Sequence, residues 1–285
     1  MERLLNIEAT SYCNANCSIC PRECVKDYGY ISLQTIDDLI EKVKKYSLYE
    51  ISISGRGEPT LHPQLVEIIN KLRKLKTTIS VVTTTDGLNS HNYKEIVDSL
   101  DMLRVSVSSI DETVFKKIHK GLDYEKIWCN INNLVEYNPK KLYIHLVGGK
   151  ETYSALEQTV KFFKNHDVDN IYLFPLWNRG GNIETQENLE LRKRLVKEYG
   201  INYSEDEYLP DEKIKMLKNP NYCPIGDTSI AVNFHGEMMG CFQDFENITK
   251  ICNVFDDNDS ITDRTKVLKK MPVCKKCNSY NQVRK

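Results

Sequence analysis

Three cysteines stand close together near the amino end: Cys13, Cys17 and Cys20, spaced C-x3-C-x2-C. A loop of that length can curl so that its thiolates reach three corners of an iron–sulfur cube, a group that proteins hold through cysteine sulfur. Such a cube takes four ligands. Three local thiols leave one iron open to a group that is not protein, as the open position on a catalytic metal does. Cys24 follows three residues further on, and C-x3-C-x2-C-x3-C also suits a zinc knuckle that clasps one tetrahedral ion.

A second set of thiols lies far downstream. Cys223 is followed by Gly236 and Cys241, and then by Cys274-x2-Cys277. Four thiols drawn from a hairpin and a C-x2-C clasp can fully ligate one centre, either an iron–sulfur cluster or a structural zinc. Gly236 suits the hairpin turn.

Between the two sets lie loops with polar and glycine-rich chemistry. Gly55-Arg56-Gly57-Glu58-Pro59 permits close backbone approach at Gly57 and places at Glu58 a carboxylate able to accept from an ammonium group. Read as structure alone, it is a strand–helix turn with Pro59 set before a helix. Thr83-Thr84-Thr85-Asp86-Gly87, and Ser106 and Ser108 with Asp111, read either as ordinary turn chemistry or as hydrogen-bonding groups for a ligand. Leu173–Asn182, with Trp177 and Arg179 beside two glycines, has the make-up of a binding loop. His62, His91 and His119 read as surface or capping residues. Cys129, next to Trp128 on an amphipathic segment, reads as core.

These residues need elements to position them. Strand-like runs at Leu4–Ala9, Tyr49–Ser54, Ile79–Thr83, Leu103–Val107, Leu142–Val147 and Asn170–Phe174 alternate with helical periodicity. The helical segments are Leu33–Tyr46, Pro63–Leu75, His91–Leu100, Asp111–Ile118 with Tyr124–Glu136, Ser154–Asn165 and Thr185–Tyr199, and Ser32 is the expected N-cap of the first. Six strand–helix repeats predict an α/β fold with a parallel sheet and right-handed crossovers. Enclosing a reactive centre favours a curved sheet, with chemistry at the carboxyl ends of the strands, where the first cysteine loop falls. From Gly200 the pattern changes. Residues 205–210 are acidic and turn-rich, Ile230–Asn233 and Met238–Cys241 predict a small hairpin, and Thr262–Lys270 predicts a short helix before the last two cysteines.

Composition excludes several classes. A net charge of −1, from 39 basic and 40 acidic residues, leaves no electrostatic footprint for nucleic acid. No apolar run approaches the ~18 residues of a membrane span, and the first residues are not a signal peptide, so no membrane association and a cytoplasmic location are expected. Ten cysteines in a reducing compartment point to metal or redox work rather than disulfides.

On its C-x3-C-x2-C loop, its G-E-P element and its downstream thiols, the sequence resembles the radical S-adenosylmethionine (SAM) enzymes. Within them it resembles the twitch (truncated SPASM) subgroup, whose pattern is C-x9–15-G-x4-C followed by C-x2-C. The resemblance implies a partial (β/α)6 TIM-like barrel over residues 1–204, a linker over 205–221 and a small C-terminal twitch domain over 222–285. It implies two [4Fe–4S] clusters, one on Cys13, Cys17 and Cys20 and an auxiliary one on Cys223, Cys241, Cys274 and Cys277. It also implies that SAM binds the open iron and is held by Gly57, Glu58, Pro59, Ser106 or Ser108, and Arg179. In such enzymes an electron from the cluster breaks SAM to a 5′-deoxyadenosyl radical, which takes hydrogen from a C–H bond. An external reductant such as flavodoxin or ferredoxin supplies that electron.

The sequence departs from the family pattern at Ile19, where an aromatic is usual, and at Arg56, where a glycine is usual. The residues around Cys241 and Cys274 look most like those of twitch dehydrogenases that oxidise an aminocyclitol alcohol. Cys252 stands where relatives carry glycine. A thiol there, or at Cys24, could return a hydrogen atom and so invert a stereocentre, as aminoglycoside epimerases do; equally, it could be a small buried hydrophobe. The expected substrate is therefore a sugar- or aminocyclitol-like small molecule, oxidised or epimerised. A ribosomal peptide is the alternative, ranked second because the chain opens directly on its first strand. A structural zinc protein is the alternative of another class.

Overall fold

The computed structural model describes residues 2–174, 186–203 and 228–256. Its barrel portion runs β1 (Arg3–Ile7), α1 (Leu33–Val43), β2 (Leu48–Ile53), α2 (Leu65–Leu72), β3 (Thr78–Thr83), α3 (Tyr93–Ser99) and β4 (Met102–Ser106). It continues through α4 (Glu112–Ile118), α5 (Tyr124–Tyr137), β5 (Leu142–Val147), α6 (Lys150–Ser154), α7 (Leu156–Asn165), β6 (Ile171–Phe174) and α8 (Gln186–Tyr199). Strands β1 to β6 pair in parallel in sequence order, as alternating strands and helices require. A short β7 (Asn202–Tyr203) adds to β6. The architecture is the partial TIM-like barrel.

Local chemistry fixes where the helices start. Ser32 accepts from the Thr35 N–H at the head of α1, Asp111 from Val114 at α4, and Asp123 from Lys126 at α5. Asp111 is thus a helix cap, which answers for its place after β4. The expected helix over Ser154–Asn165 divides in two at Ala155.

The two faces of the sheet differ. One phase of each strand (Leu5 and Ile7, Ile51 and Ile53, Ile79 and Val81, Leu103 and Val105, Ile144 and Leu146) is fully buried in the main core cluster, to which the apolar stripes of the helices also belong. The other phase carries Asn6, Ser52, Arg104, Ser106 and His145 into the interior of the barrel. Cys129 corrects its expectation. It is exposed, because one step along α5 rotates it off the face that buries Trp128, Ile131 and Leu134.

The downstream hairpin forms as β8 (Ser229–Val232) and β9 (Glu237–Met239), with Gly236 at φ +79° in its turn, and β10 (Lys250–Asn253) pairs with β9. The sequence pattern did not indicate that β8 lies parallel beside β1, so that the hairpin and the barrel share one ten-stranded sheet. The segment 205–221, the predicted helix 262–270 and the residues Cys223, Cys274, Cys277, Trp177 and Arg179 lie outside the described residues. Among the described residues no helix is long and apolar enough to cross a membrane.

Candidate active site

The cysteine loop leaves the carboxyl end of β1 and is pinned by the segment that follows α4. Asn16 N–H donates to the Lys120 carbonyl at 2.6 Å, and Ser18 N–H to the Ile118 carbonyl at 2.8 Å. Gly121, at φ +87°, allows this approach. A Cβ there would stand 2.7 Å from the Asn14 carbonyl oxygen. So held, Cys13, Cys17 and Cys20 line one cavity of about 360 Å³ inside the barrel mouth, and Cys24, at the end of a short 3-10 turn, is not on its wall. Burial pushes the Cys13 thiol up to about 11. Burial, with Cys20 and Cys13 alongside, pushes Cys17 up to about 12. Neutral thiols this close need a strongly cationic centre to become thiolates together.

No group of His, Cys, Asp or Glu among the described residues converges on the spacing of a single ion. Three thiols lining one cavity, with the fourth cysteine of the run off its wall, fit a cluster with one open iron better than a zinc knuckle.

Two further loops close round this one. Gly57 packs so tightly on the start of the cysteine loop that a Cβ would fall 2.1 Å from the Thr10 carbonyl oxygen, and Glu58 N–H donates to the Tyr12 carbonyl. The Glu58 carboxylate is 3% exposed. Its Oε1 accepts from the Thr60 N–H and hydroxyl and from the Thr83 hydroxyl; its Oε2 accepts from the Thr84 N–H and hydroxyl. A carboxylate offers about four acceptor sites. Glu58 is therefore a clasp between the G-E-P turn and the end of β3, rather than a loose acceptor awaiting an ammonium. Asp86 accepts from the Asn14 amide at 2.6 Å and from Lys126 at 3.0 Å, fastening the T-T-T-D-G turn to the cysteine loop. Thr85 in that turn is held at φ +71°, a strained setting for a β-branched residue. Pro59 opens a buried 3-10 turn behind Glu58.

Beneath the thiols the cavity is lined by Asn6, Ser52, Ser54, Arg104, Ser106 and His145. Arg104 is tied to Glu50 at 2.7 Å, and Glu50 also accepts from Ser80. Burial, with Arg104 nearby, lowers His145 to about 3, so its ring is neutral at pH 7. Phe174 packs against that ring at a tilt, with centroids 4.5 Å apart. Ser106 faces the cavity; Ser108 is turned away, with its hydroxyl 3.0 Å from His119. His62 caps its turn as expected, but His119 is more than a cap: it is 1% exposed, lines the cavity and reaches Cys17.

Arg56 stands in for a family glycine and is the hub of a buried ion network. Its Nε and Nη2 donate to Glu8 at 2.7 Å each and its Nη1 to Asp27 at 2.8 Å. Burial alone would lower its pKa, but the two carboxylates outweigh that and raise it. Phe234 of the downstream hairpin lies under the guanidinium, and His235 contacts Asp27 at 3.1 Å. Cys241 sits just past β9, where Asp244 braces the turn by accepting from Thr249, and the adjacent Phe242 lines the main cavity. Cys252 does not reach the cavity. It is 5% exposed on β10, paired across from Met238 within the apolar core.

The sequence profile of the Radical SAM superfamily matches residues 7–163. A probable GTP 3′,8-cyclase of Saccharolobus islandicus is 27% identical over 268 residues, covering 88% of this chain and 86% of that protein. One of Sulfurisphaera tokodaii is 25% identical over 282 residues, covering 93% and 89%. Among solved structures, Streptococcus suis SuiB bound to S-adenosylmethionine superposes with a TM-score of 0.73 at 17% identity, covering 98% of this chain and 71% of that one. BtrN in complex with AdoMet and 2-DOIA gives 0.57 at 16% identity, covering 98% and 93%. Native anSMEcpe with bound AdoMet gives 0.68 at 17%, covering 96% and 86%.

Proposed function

The chain belongs to the radical SAM superfamily, and we propose that it is an oxidoreductase that removes hydrogen from a hydroxyl- or amine-bearing carbon of a sugar- or aminocyclitol-like molecule. In this reading Cys13, Cys17 and Cys20 hold a [4Fe–4S] cluster, and SAM sits against Gly57 and the Ser106 side of the cavity. When bound, the cluster and SAM supply the radical that takes a hydrogen atom from the substrate. The chain's own residues do the rest. Glu58 locks the loops whose backbone frames the site, and Gly57 leaves room for close approach.

The observation that carries the substrate class is the set of polar side chains, Asn6, Ser52, Ser54, Ser106 and His145, that lines the same cavity as the thiols. These are neutral, hydroxyl-sized hydrogen-bonding partners. Two of the guanidinium groups on the described wall have their charge offset by carboxylates, Arg56 by Glu8 and Asp27 and Arg104 by Glu50, while Arg22 donates to the Ser11 and Arg56 carbonyls. Such a wall suits an uncharged polyol better than a polyphosphate, so a nucleotide substrate, as the names of the archaeal relatives suggest, ranks behind it. A peptide substrate is the other reading, favoured by the fold shared with SuiB, which has also been solved bound to the precursor peptide SuiA.

Oxidation is preferred to epimerisation because the candidate hydrogen donors, Cys252 and Cys24, are both off the cavity wall. In the division into barrel (1–204), linker (205–221) and twitch (222–285), we assign Cys223, Cys241, Cys274 and Cys277 to an auxiliary cluster that accepts the second electron. A flavodoxin- or ferredoxin-like donor serves as the reductant.

The test is anaerobic turnover of the reconstituted, reduced protein with aminocyclitols deuterated at each carbinol carbon. Deuterium in 5′-deoxyadenosine together with a ketone product supports the reading. Absence of 5′-deoxyadenosine from the enzyme under every reductant, or solvent hydrogen replacing deuterium at an inverted carbon, overturns it.

A further inference from the structure

His119 joins two groups that the reaction reading leaves unconnected. Its Nδ1 lies 3.4 Å from the sulfur of Cys17, and its Nε2 lies 3.1 Å from the backbone nitrogen and 3.0 Å from the hydroxyl of Ser108. A backbone N–H can only donate, so Nε2 must present a lone pair. A neutral imidazole that accepts at Nε2 carries its single proton on Nδ1. The ring therefore points an N–H at Cys17. The ring is fixed in this pose: it is buried, packed at a tilt with its centroid 4.8 Å from that of Phe115, and set between Ile118 and Lys120, whose carbonyls hold the cysteine loop.

We infer that His119 is a positioning residue that donates an Nδ1–H···S hydrogen bond to the Cys17 thiolate and thereby raises the reduction potential of the centre that Cys17 ligates. The physical ground is general. Hydrogen bonds to ligand sulfur withdraw charge and favour the electron-rich reduced state, and second groups that orient a ligand tune the metal it holds. In a buried setting such a bond is strengthened. Ser108, through its N–H, sets the tautomer, which gives that residue a role without contact to SAM. The inference rests on Cys17 being a cluster ligand, as proposed above.

The experiment is a redox titration of the reconstituted full-length enzyme, following the reduced EPR signal that changes on SAM addition. In His119→Ala the ratio of reduced to oxidised centre at a fixed potential should fall about tenfold, a shift of ~59 mV to more negative values for a one-electron couple. His119→Asn, whose amide N–H can replace Nδ1–H, should recover part of that shift. Wild-type enzyme labelled with 15N-histidine should show a histidine nitrogen coupled to the reduced signal, absent from His119→Asn. An unchanged potential in an iron-replete His119→Ala enzyme overturns the inference. If that variant fails to keep its iron, the labelled wild type decides, and absence of the coupling overturns it. A signal indifferent to SAM, with Cys17→Ala retaining full iron, is the separate outcome that brings down the underlying cluster assignment and the inference with it.

Discussion

At the scale of single residues, Glu58 and His145 make the sharpest claims. Glu58 accepts five hydrogen bonds from three threonines. Glu58→Gln would turn an amide N–H toward those donors, and should cost about 1–3 kcal/mol in anaerobic urea unfolding, with weakened SAM binding by equilibrium dialysis. His145 is held by burial well below the ordinary imidazole value of 6.5, at about 3. Its unfolded form takes up a proton as pH falls through 6.5 while the folded form does not. Stability is therefore full above 6.5, falls as pH drops below it by up to about 1.4 kcal/mol per unit, and levels off below the folded value. His119 and His62, also lowered by burial, add to the slope. Urea midpoints at pH 7, 6 and 5 should show the decline, and it should be shallower in His145→Gln. The thiols and the G-E-P turn were legible in the sequence because their spacing is local. His119, Glu8 and Arg104 were not, since their meaning lies in partners 102, 48 and 54 residues away along the chain.

At the scale of elements, the site is made by loops that depend on one another. Gly121→Ala would place a Cβ in the left-handed region and 2.7 Å from the Asn14 carbonyl oxygen. It should cost about 1–2 kcal/mol for the backbone alone and distort the cysteine loop, lowering iron content after reconstitution relative to wild type. An unchanged iron content would show that residues 118–121 do not template the loop. The strands and helices themselves could be read from period and caps, because burial on one face imprints both. The division of the helix at Ala155 left no such imprint, and Cys129 was misread because adjacency to Trp128 is not co-orientation on a helix. Cys252 lies on a strand whose register places it opposite Met238, a pairing that no local pattern announces.

At the scale of the whole molecule, the barrel and the downstream hairpin are joined by the Glu8–Arg56–Asp27 network, which Phe234 and His235 of the hairpin contact, and by β8 beside β1. Arg56→Met would strand the Glu8 carboxylate, whose side chain is 6% exposed, and should cost about 3–5 kcal/mol. Adding Glu8→Gln should restore part of the loss, because the charge left behind is the main penalty. Urea unfolding of the single and double variants checks both statements, and equal stability of the two would refute the pairing. The alternation of strands and helices announced the barrel. The sharing of its sheet with the hairpin was hidden, since parallel pairing between distant segments leaves no trace in either one. That pairing has a consequence for biogenesis. The first strand is made before its outer neighbour, since Leu4 pairs with Ser229, 225 residues further along the chain. Until then its open edge must be shielded, so synthesis passes through a stage prone to edge-to-edge association, and chaperone demand should persist until β8 has been made.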